Sequence, residues 1–127
     1  MIALKLIEIL EPDFYFEDSR GTLTQITHKP YAQINAVFTK KGQDRGNYHY
    51  HRFTKEVFYV ISGKIKVTLK LGDKKEEYSF SDNDMFMIPE EVRHSFSYYE
   101  DTYLVAFYTS RVELEDGTKD IICDDSN

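Results

Sequence analysis

Hydrophobic and polar positions alternate with a period of two along much of this chain. The clearest run is KIKVTLKL (64–71), where Ile65, Val67, Leu69 and Leu71 alternate with Lys64, Lys66, Thr68 and Lys70. That period over a run of this length predicts a strand with one buried and one wet face. The preceding VFYVI (57–61) is apolar at every position, the pattern of a strand covered on both faces. Ser62-Gly63 joins the two as a tight turn, and Gly72-Asp73 ends the second. Short runs of the same kind recur at DFYF (13–16), TLTQI (22–26), AQINAVFT (32–39), EEYSF (76–80), DMFMI (84–88), HSFSYY (94–99) and TYLVAFY (102–108). Many short strands between turn residues, with no helical period, predict an all-β sandwich or barrel. The opening MIALKLIEIL, interrupted by Lys5 and Glu8, is read as one more strand. The ending VELEDGTKDIICDDSN is read as an edge strand or short helix before an acidic tail. With no repeat and no linker, residues 1–127 are expected to form one domain, its core at about 13–109 and its edge segment and tail at 110–127.

Composition narrows the partners. A formal charge of −6 argues against a nucleic-acid partner, which would require a basic face. It leaves room for a phosphate-bearing small ligand, because a few arginines in a pocket outweigh the global charge. No apolar run approaches the roughly 20 residues of a membrane-spanning helix, and no small-residue cleavage site follows the opening segment, so no membrane partner and no signal peptide are expected. Cys123 is the single cysteine, which fits a cytoplasmic location. No glycine-rich phosphate loop occurs, so no nucleotide cofactor is expected. Ten tyrosines and nine phenylalanines suit strands and the wall of a concave pocket.

Chemistry concentrates in two segments. In RGNYHYHRFTKEVFYVISG, His49 and His51 stand two apart and, on a strand, point to one face; Glu56 and Gly63 follow. In NDMFMIPEEVRHSF, Asn83, Pro89 and His94 are spaced in a second set. Together the segments resemble the two signature motifs of the cupin superfamily, whose fold is a double-stranded β-helix, or jelly-roll barrel. The first motif matches closely, with Gly42 or Gly46 near its leading glycine. In the second, Asn83 and Glu91 replace glycines; Asn83 suits a turn with positive φ, and Glu91 implies a turn of a different kind. The resemblance implies that His49, His51, Glu56 and His94 converge in the barrel. Three imidazoles and a carboxylate suit a divalent metal (Zn, Ni, Mn or Fe), with coordination positions open to substrate.

A narrower resemblance lies in DFYFEDSRGTLTQI (13–26) and AQINAVFTKKGQDRGNYHYH (32–51). Both are similar to sugar-nucleotide cupins: dTDP-4-dehydrorhamnose epimerases, dTDP-4-oxo-6-deoxyglucose 3,4-ketoisomerases, and the cupin half of capsular-sugar epimerase-reductases. It implies proton transfer beside the ketone of a nucleotide-linked 4-keto-6-deoxysugar, which needs a base near neutral pKa and a holder for the developing oxyanion. His49 and His51 are then the acid–base pair when no metal is held, as in the ketoisomerases, which lack a glutamate at position 56. With metal, the histidines become ligands and a tyrosine or bound hydroxide takes the base role; both mechanisms stay open. Arg20 and Arg45 are the candidates for gripping the phosphates or sugar. Tyr98 shares a face with His94 and is the candidate tyrosine of the cavity, whereas Tyr48 and Tyr50 are expected in the barrel wall. His28, before Lys29-Pro30, is expected on the surface.

The leading reading is thus an isomerase or epimerase of a nucleotide-linked sugar. A metal-dependent cupin of another class, such as a dioxygenase, and a non-catalytic small-molecule-binding cupin are the alternatives. A homodimer is expected, with the N-terminal strand Ile2–Leu10 pairing across the interface.

Overall fold

The computed structural model describes residues 5–123. Eleven strands follow one another: β1 (Glu8–Leu10), β2 (Phe14–Asp18), β3 (Gly21–Gln25), β4 (Gln33–Thr39), β5 (Asp44–His49), β6 (Glu56–Ser62), β7 (Lys64–Leu71), β8 (Lys74–Ser81), β9 (Met85–Ile88), β10 (Arg93–Tyr98) and β11 (Thr102–Tyr108). They form a five-stranded sheet in the order β1-β9-β6-β11-β4 and a four-stranded sheet in the order β5-β10-β7-β8. The hairpin β2-β3 pairs with neither. All pairings are antiparallel. No helix among the described residues is long and apolar enough to cross a membrane.

The alternation in the sequence becomes the interior. Ile65, Val67 and Leu69 of β7 are fully buried and meet Phe58, Val60, Phe86, Ile88, Phe96 and Leu104 from the facing strands. Phe86 stacks on Phe80 at 4.1 Å and on Phe58 at 5.2 Å, and Phe58 meets Phe96 edge-on at 4.9 Å. Each such ring contributes about 1.5–3 kcal/mol by burial and about 0.5–1.5 kcal/mol more by its ring geometry. Val57–Val60 of β6 are covered on both faces, since Phe58 and Val60 enter this core while Val57 and Tyr59 pack with Met85 and Phe107 on the other side; Ile61, expected to be covered as well, is half exposed toward the strand's end. Two details of β7 depart from the alternation: Thr68 is buried and Leu71 exposed, because Thr68 lies mid-strand between β8 and β10 and Leu71 sits at the sheet's end.

Three expectations need correction. Among the described residues the N-terminal strand is short: only Glu8–Leu10 pairs, along one edge with β9, while Leu6 and Ile7 turn into the core. Residues 1–4 of the expected strand lie outside the described residues. Among the described residues, the C-terminal stretch to Cys123 forms neither edge strand nor helix. It runs as turns with two isolated bridges, Tyr50 to Ile122 and Glu113 to Lys119, because its polar residues satisfy their backbone locally. Glu91 adopts φ 68°, as Asn83 adopts φ 73°, so this turn keeps the conformation a glycine would give. Its N–H donates to the His51 carbonyl at 2.7 Å.

Candidate active site

Between the sheets lies a cavity of about 280 Å³. Gln33, Asn35, Leu104, Ala106 and Tyr108 from β4 and β11 line one wall, and Arg45, His49, His94, Phe96 and Tyr98 from β5 and β10 line the other. Phe58 and Phe96 join it to the aromatic core.

The histidines reach the cavity through irregular backbone. His49 ends β5 opposite His94, whereas Arg45 is already opposite Phe96, so β5 carries extra residues between these pairs. Gly46, Asn47 and Tyr48 absorb them with φ of 93°, 45° and 60°, a bulge that re-aims the strand end. A β-carbon on Gly46 would sit 2.8 Å from the His94 carbonyl oxygen, so glycine is what lets β5 lie this close to β10. His51 follows beyond the strand, and Glu56 opens β6.

Ligand atoms of His49, His51, Glu56 and His94 all lie within 4.8 Å of one another. His49 is half-buried and the other three are buried. Glu56 Oε1 is 2.7 Å from His51 Nε2 and 3.1 Å from His94 Nε2; His94 Nε2 is 3.0 Å from His49 Nε2. The outward nitrogens are committed: His51 Nδ1–H donates to the Asp120 carbonyl at 2.5 Å and His94 Nδ1–H to the Val92 carbonyl at 3.1 Å. Both Nε2 atoms therefore face the carboxylate. Although close, His51 Nε2 and Glu56 Oε1 lack a properly directed hydrogen bond. Lone pairs gathered this tightly in a buried space require a positive charge, either a proton or a cation.

The same surroundings split the histidines. Burial, with His94 alongside, pushes His49 down to about 4 against the pull of Glu56. Burial also works downward on His51, but the Glu56 carboxylate and the Asp120 carbonyl outweigh it and raise its pKa above the ordinary value. Burial works to raise Glu56, yet His51 and His94 hold its carboxyl well below the usual range. The two imidazoles are thus pushed in opposite directions, His49 toward its neutral form and His51, beside the carboxylate, toward its protonated form, a split that suits a base and an acid in one site. Burial raises Tyr98, opposed by Thr39 and Arg45; burial and the Glu56 charge push Tyr108 up to about 12. Both phenols stay protonated and can donate to a developing oxyanion.

Of the residues singled out in sequence, His49, His51, Glu56, His94, Tyr98 and Arg45 line this cavity together. The Arg45 guanidinium is held by Thr39 Oγ1 at 2.7 Å and the Phe38 carbonyl at 3.3 Å. Arg20 is not brought there: it sits at the β2-β3 turn, its side chain 84% exposed and paired with Asp18 at 2.6 Å. Tyr48 and Tyr50 lie outside the cavity, beneath Lys70 and Arg93 respectively, and His28 is exposed against Asp13. Sequence reasoning missed Gln33, Asn35 and Tyr108, although the parity of β4 and β11 would have found them. It also missed Val112, Glu113, Lys119 and Ile121 of the C-terminal stretch, which line the cavity but carry no periodic signal.

No curated protein matches the sequence significantly. Solved structures do resemble the fold. The sugar 3,4-ketoisomerase of Thermoanaerobacterium thermosaccharolyticum in complex with TDP superposes with TM-score 0.80 and 18% identity, covering 97% of this chain and 91% of its own. The TDP-quinovose 3,4-ketoisomerase of Campylobacter jejuni gives 0.78 and 17%, covering 95% of each chain. The dTDP-4-dehydrorhamnose 3,5-epimerase of Sulfolobus tokodaii gives 0.69 and 23%, covering 81% and 69%. At these identities the likeness establishes the fold, an all-β cupin barrel. The family model of the polysaccharide biosynthesis C-terminal domain matches residues 16–112, most of the chain, and the protein belongs to that family.

Proposed function

We propose that the protein is an isomerase or epimerase that moves a proton beside the ketone of a nucleotide-linked 4-keto-6-deoxysugar. The observation that carries this reading is one cavity that gathers His49, His51, Glu56 and His94, with the His49 pKa pushed down and the His51 pKa, beside Glu56, pushed up. The His49 imidazole takes the proton from the carbon beside the carbonyl, and the electron pair moves onto the ketone oxygen. Tyr98 and Tyr108 hydroxyls donate to that oxygen as charge builds. His51 returns a proton to the opposite face of the same carbon, giving the epimer, or to the former carbonyl carbon while the hydroxyl proton of the adjacent carbon passes to the enolate oxygen, giving the isomer. Arg45, held at the cavity wall, anchors the phosphate-bearing portion.

The donor set also fits a divalent metal. His49, His51, Glu56 and His94 would hold it, and the outward N–H bonds of His51 and His94 to backbone carbonyls orient imidazoles as metal ligands require. Such an ion supplies Lewis-acid stabilisation of an enolate oxygen. The specific support is the pair of buried atoms, His51 Nε2 and Glu56 Oε1, left without directed partners.

Arg20 joins the reading only through a second copy, since its own cavity does not include it. A homodimer supported by the exposed apolar β2-β3 hairpin makes that contact available.

The direct test follows dTDP-, UDP- and GDP-linked 4-keto-6-deoxyhexoses by carbon NMR in the presence of the purified protein. Migration of the carbonyl from C4 to C3, or inversion beside it, is expected for one of them. Inertness toward all three, with oxygen uptake after Fe²⁺ loading, would replace this reading with the dioxygenase.

A further inference from the structure

Asp120 lies in the irregular stretch after β11, yet it is only 3% exposed, and with Glu56 it makes up the buried carboxylates among the described residues. Its Oδ1 accepts from the Arg52 N–H at 2.8 Å; its Oδ2 accepts from the Phe53 N–H at 2.9 Å and the Thr54 hydroxyl at 2.8 Å. Its N–H donates to the Val112 carbonyl at 2.7 Å, and neighbouring Ile122 exchanges backbone bonds with Tyr50. Its own carbonyl receives His51 Nδ1–H. One residue therefore fastens the turn that joins His51 to Glu56 and also touches the His51 ring.

We propose that Asp120 is a positioning residue of the site, whose carboxylate clamps residues 52–54 and thereby aims its carbonyl at His51 Nδ1. The inference rests on the placement of His51 in the reacting cavity. An imidazole has two ring orientations and, once it has given up its acidic proton, two tautomers, and a carbonyl accepts but cannot donate. Held against His51, the carbonyl keeps a proton on Nδ1 and turns Nε2 toward Glu56. Charge-assisted bonds from backbone N–H groups make a carboxylate suited to the clamp. Asparagine retains the size but sets an amide donor against at least one of the same donors.

The test uses full-length protein labelled with ¹⁵N-histidine, His51 being assigned from a His51→Gln variant. A downfield Nδ1 proton protected from solvent exchange is expected for His51. In Asp120→Asn it exchanges about tenfold faster or more, and kcat on the responding keto sugar falls about 10- to 100-fold with the fold retained by circular dichroism. Thr54→Val, which removes one of the three clamping bonds, gives an intermediate exchange rate and carries the test alone if Asp120→Asn does not fold. An unchanged His51 proton in whichever of these variants folds overturns the proposal. The proton readout needs no substrate, so failure of the sugar-isomerase reading is seen separately, as inertness of the wild-type protein.

Discussion

His49 and His51 are chemically identical, yet the proposed reaction gives them opposite duties. Burial beside His94 pushes the His49 pKa down, while Glu56 pushes that of His51 up. In that reaction their two titrations are expected to set the limbs of the activity profile. His49, depressed to about 4, becomes protonated and useless as a base only as pH falls toward that value, so the acidic limb lies there. His51, raised above its ordinary value, loses its acid form only as pH climbs through the raised pKa, which sets the basic limb. Glu56→Gln removes the carboxylate that raises His51, so the basic limb of kcat/KM shifts to lower pH. A limb that stays in place would show that His51 is not the acid. At this scale the sequence was informative wherever a spaced motif exists: His49, His51, Glu56 and His94 were legible together. Tyr108 and Asp120 were not, because one is an ordinary strand residue and the other lies in a stretch with no periodicity.

Among the elements, β7 and β11 run over the spans their alternation implies, Lys64–Leu71 and Thr102–Tyr108. The β5 bulge was hidden, since it depends on how β5 meets β10 rather than on local pattern. Gly46 is its pivot. Gly46→Ala combines a left-handed φ with a β-carbon against the His94 carbonyl and should destabilise by about 1–3 kcal/mol, with activity lost as His49 is displaced. Gly42→Ala is the control: it has φ 88° but open space around the new carbon. It should carry only the conformational cost, read as a smaller drop in denaturation midpoint with near-normal kcat. Equal losses of activity in the two variants would remove the close approach from the account of the site.

For the whole molecule, the pattern of strands implied a barrel, but not which surfaces remain uncovered. Phe14, Tyr15, Phe16 and Leu23 are exposed together on the β2-β3 hairpin, an apolar patch of the kind that marks an interface. Sedimentation is expected to return twice the monomer mass. Phe16→Asp with Leu23→Asp should return the monomer mass and raise KM, because Arg20 on the same hairpin then has no second cavity to reach. A wild-type monomer at high concentration would leave Arg20 without a role in binding. β1 pairs with β9 along one edge and stands at the end of its sheet, so among the described residues its other edge is open to the cross-interface pairing expected from the sequence.

The central claim is proton transfer beside a ketone by the histidine pair, and solvent-isotope incorporation tests it most directly. A 4-keto-6-deoxyhexose nucleotide is incubated with the protein in D₂O and weighed by mass spectrometry. Deuterium is expected to enter the hexose carbon beside the ketone with wild-type protein and to fall to the uncatalysed level with His49→Asn. Incorporation that is absent from the wild type, or undiminished in the folded variant, would contradict the account.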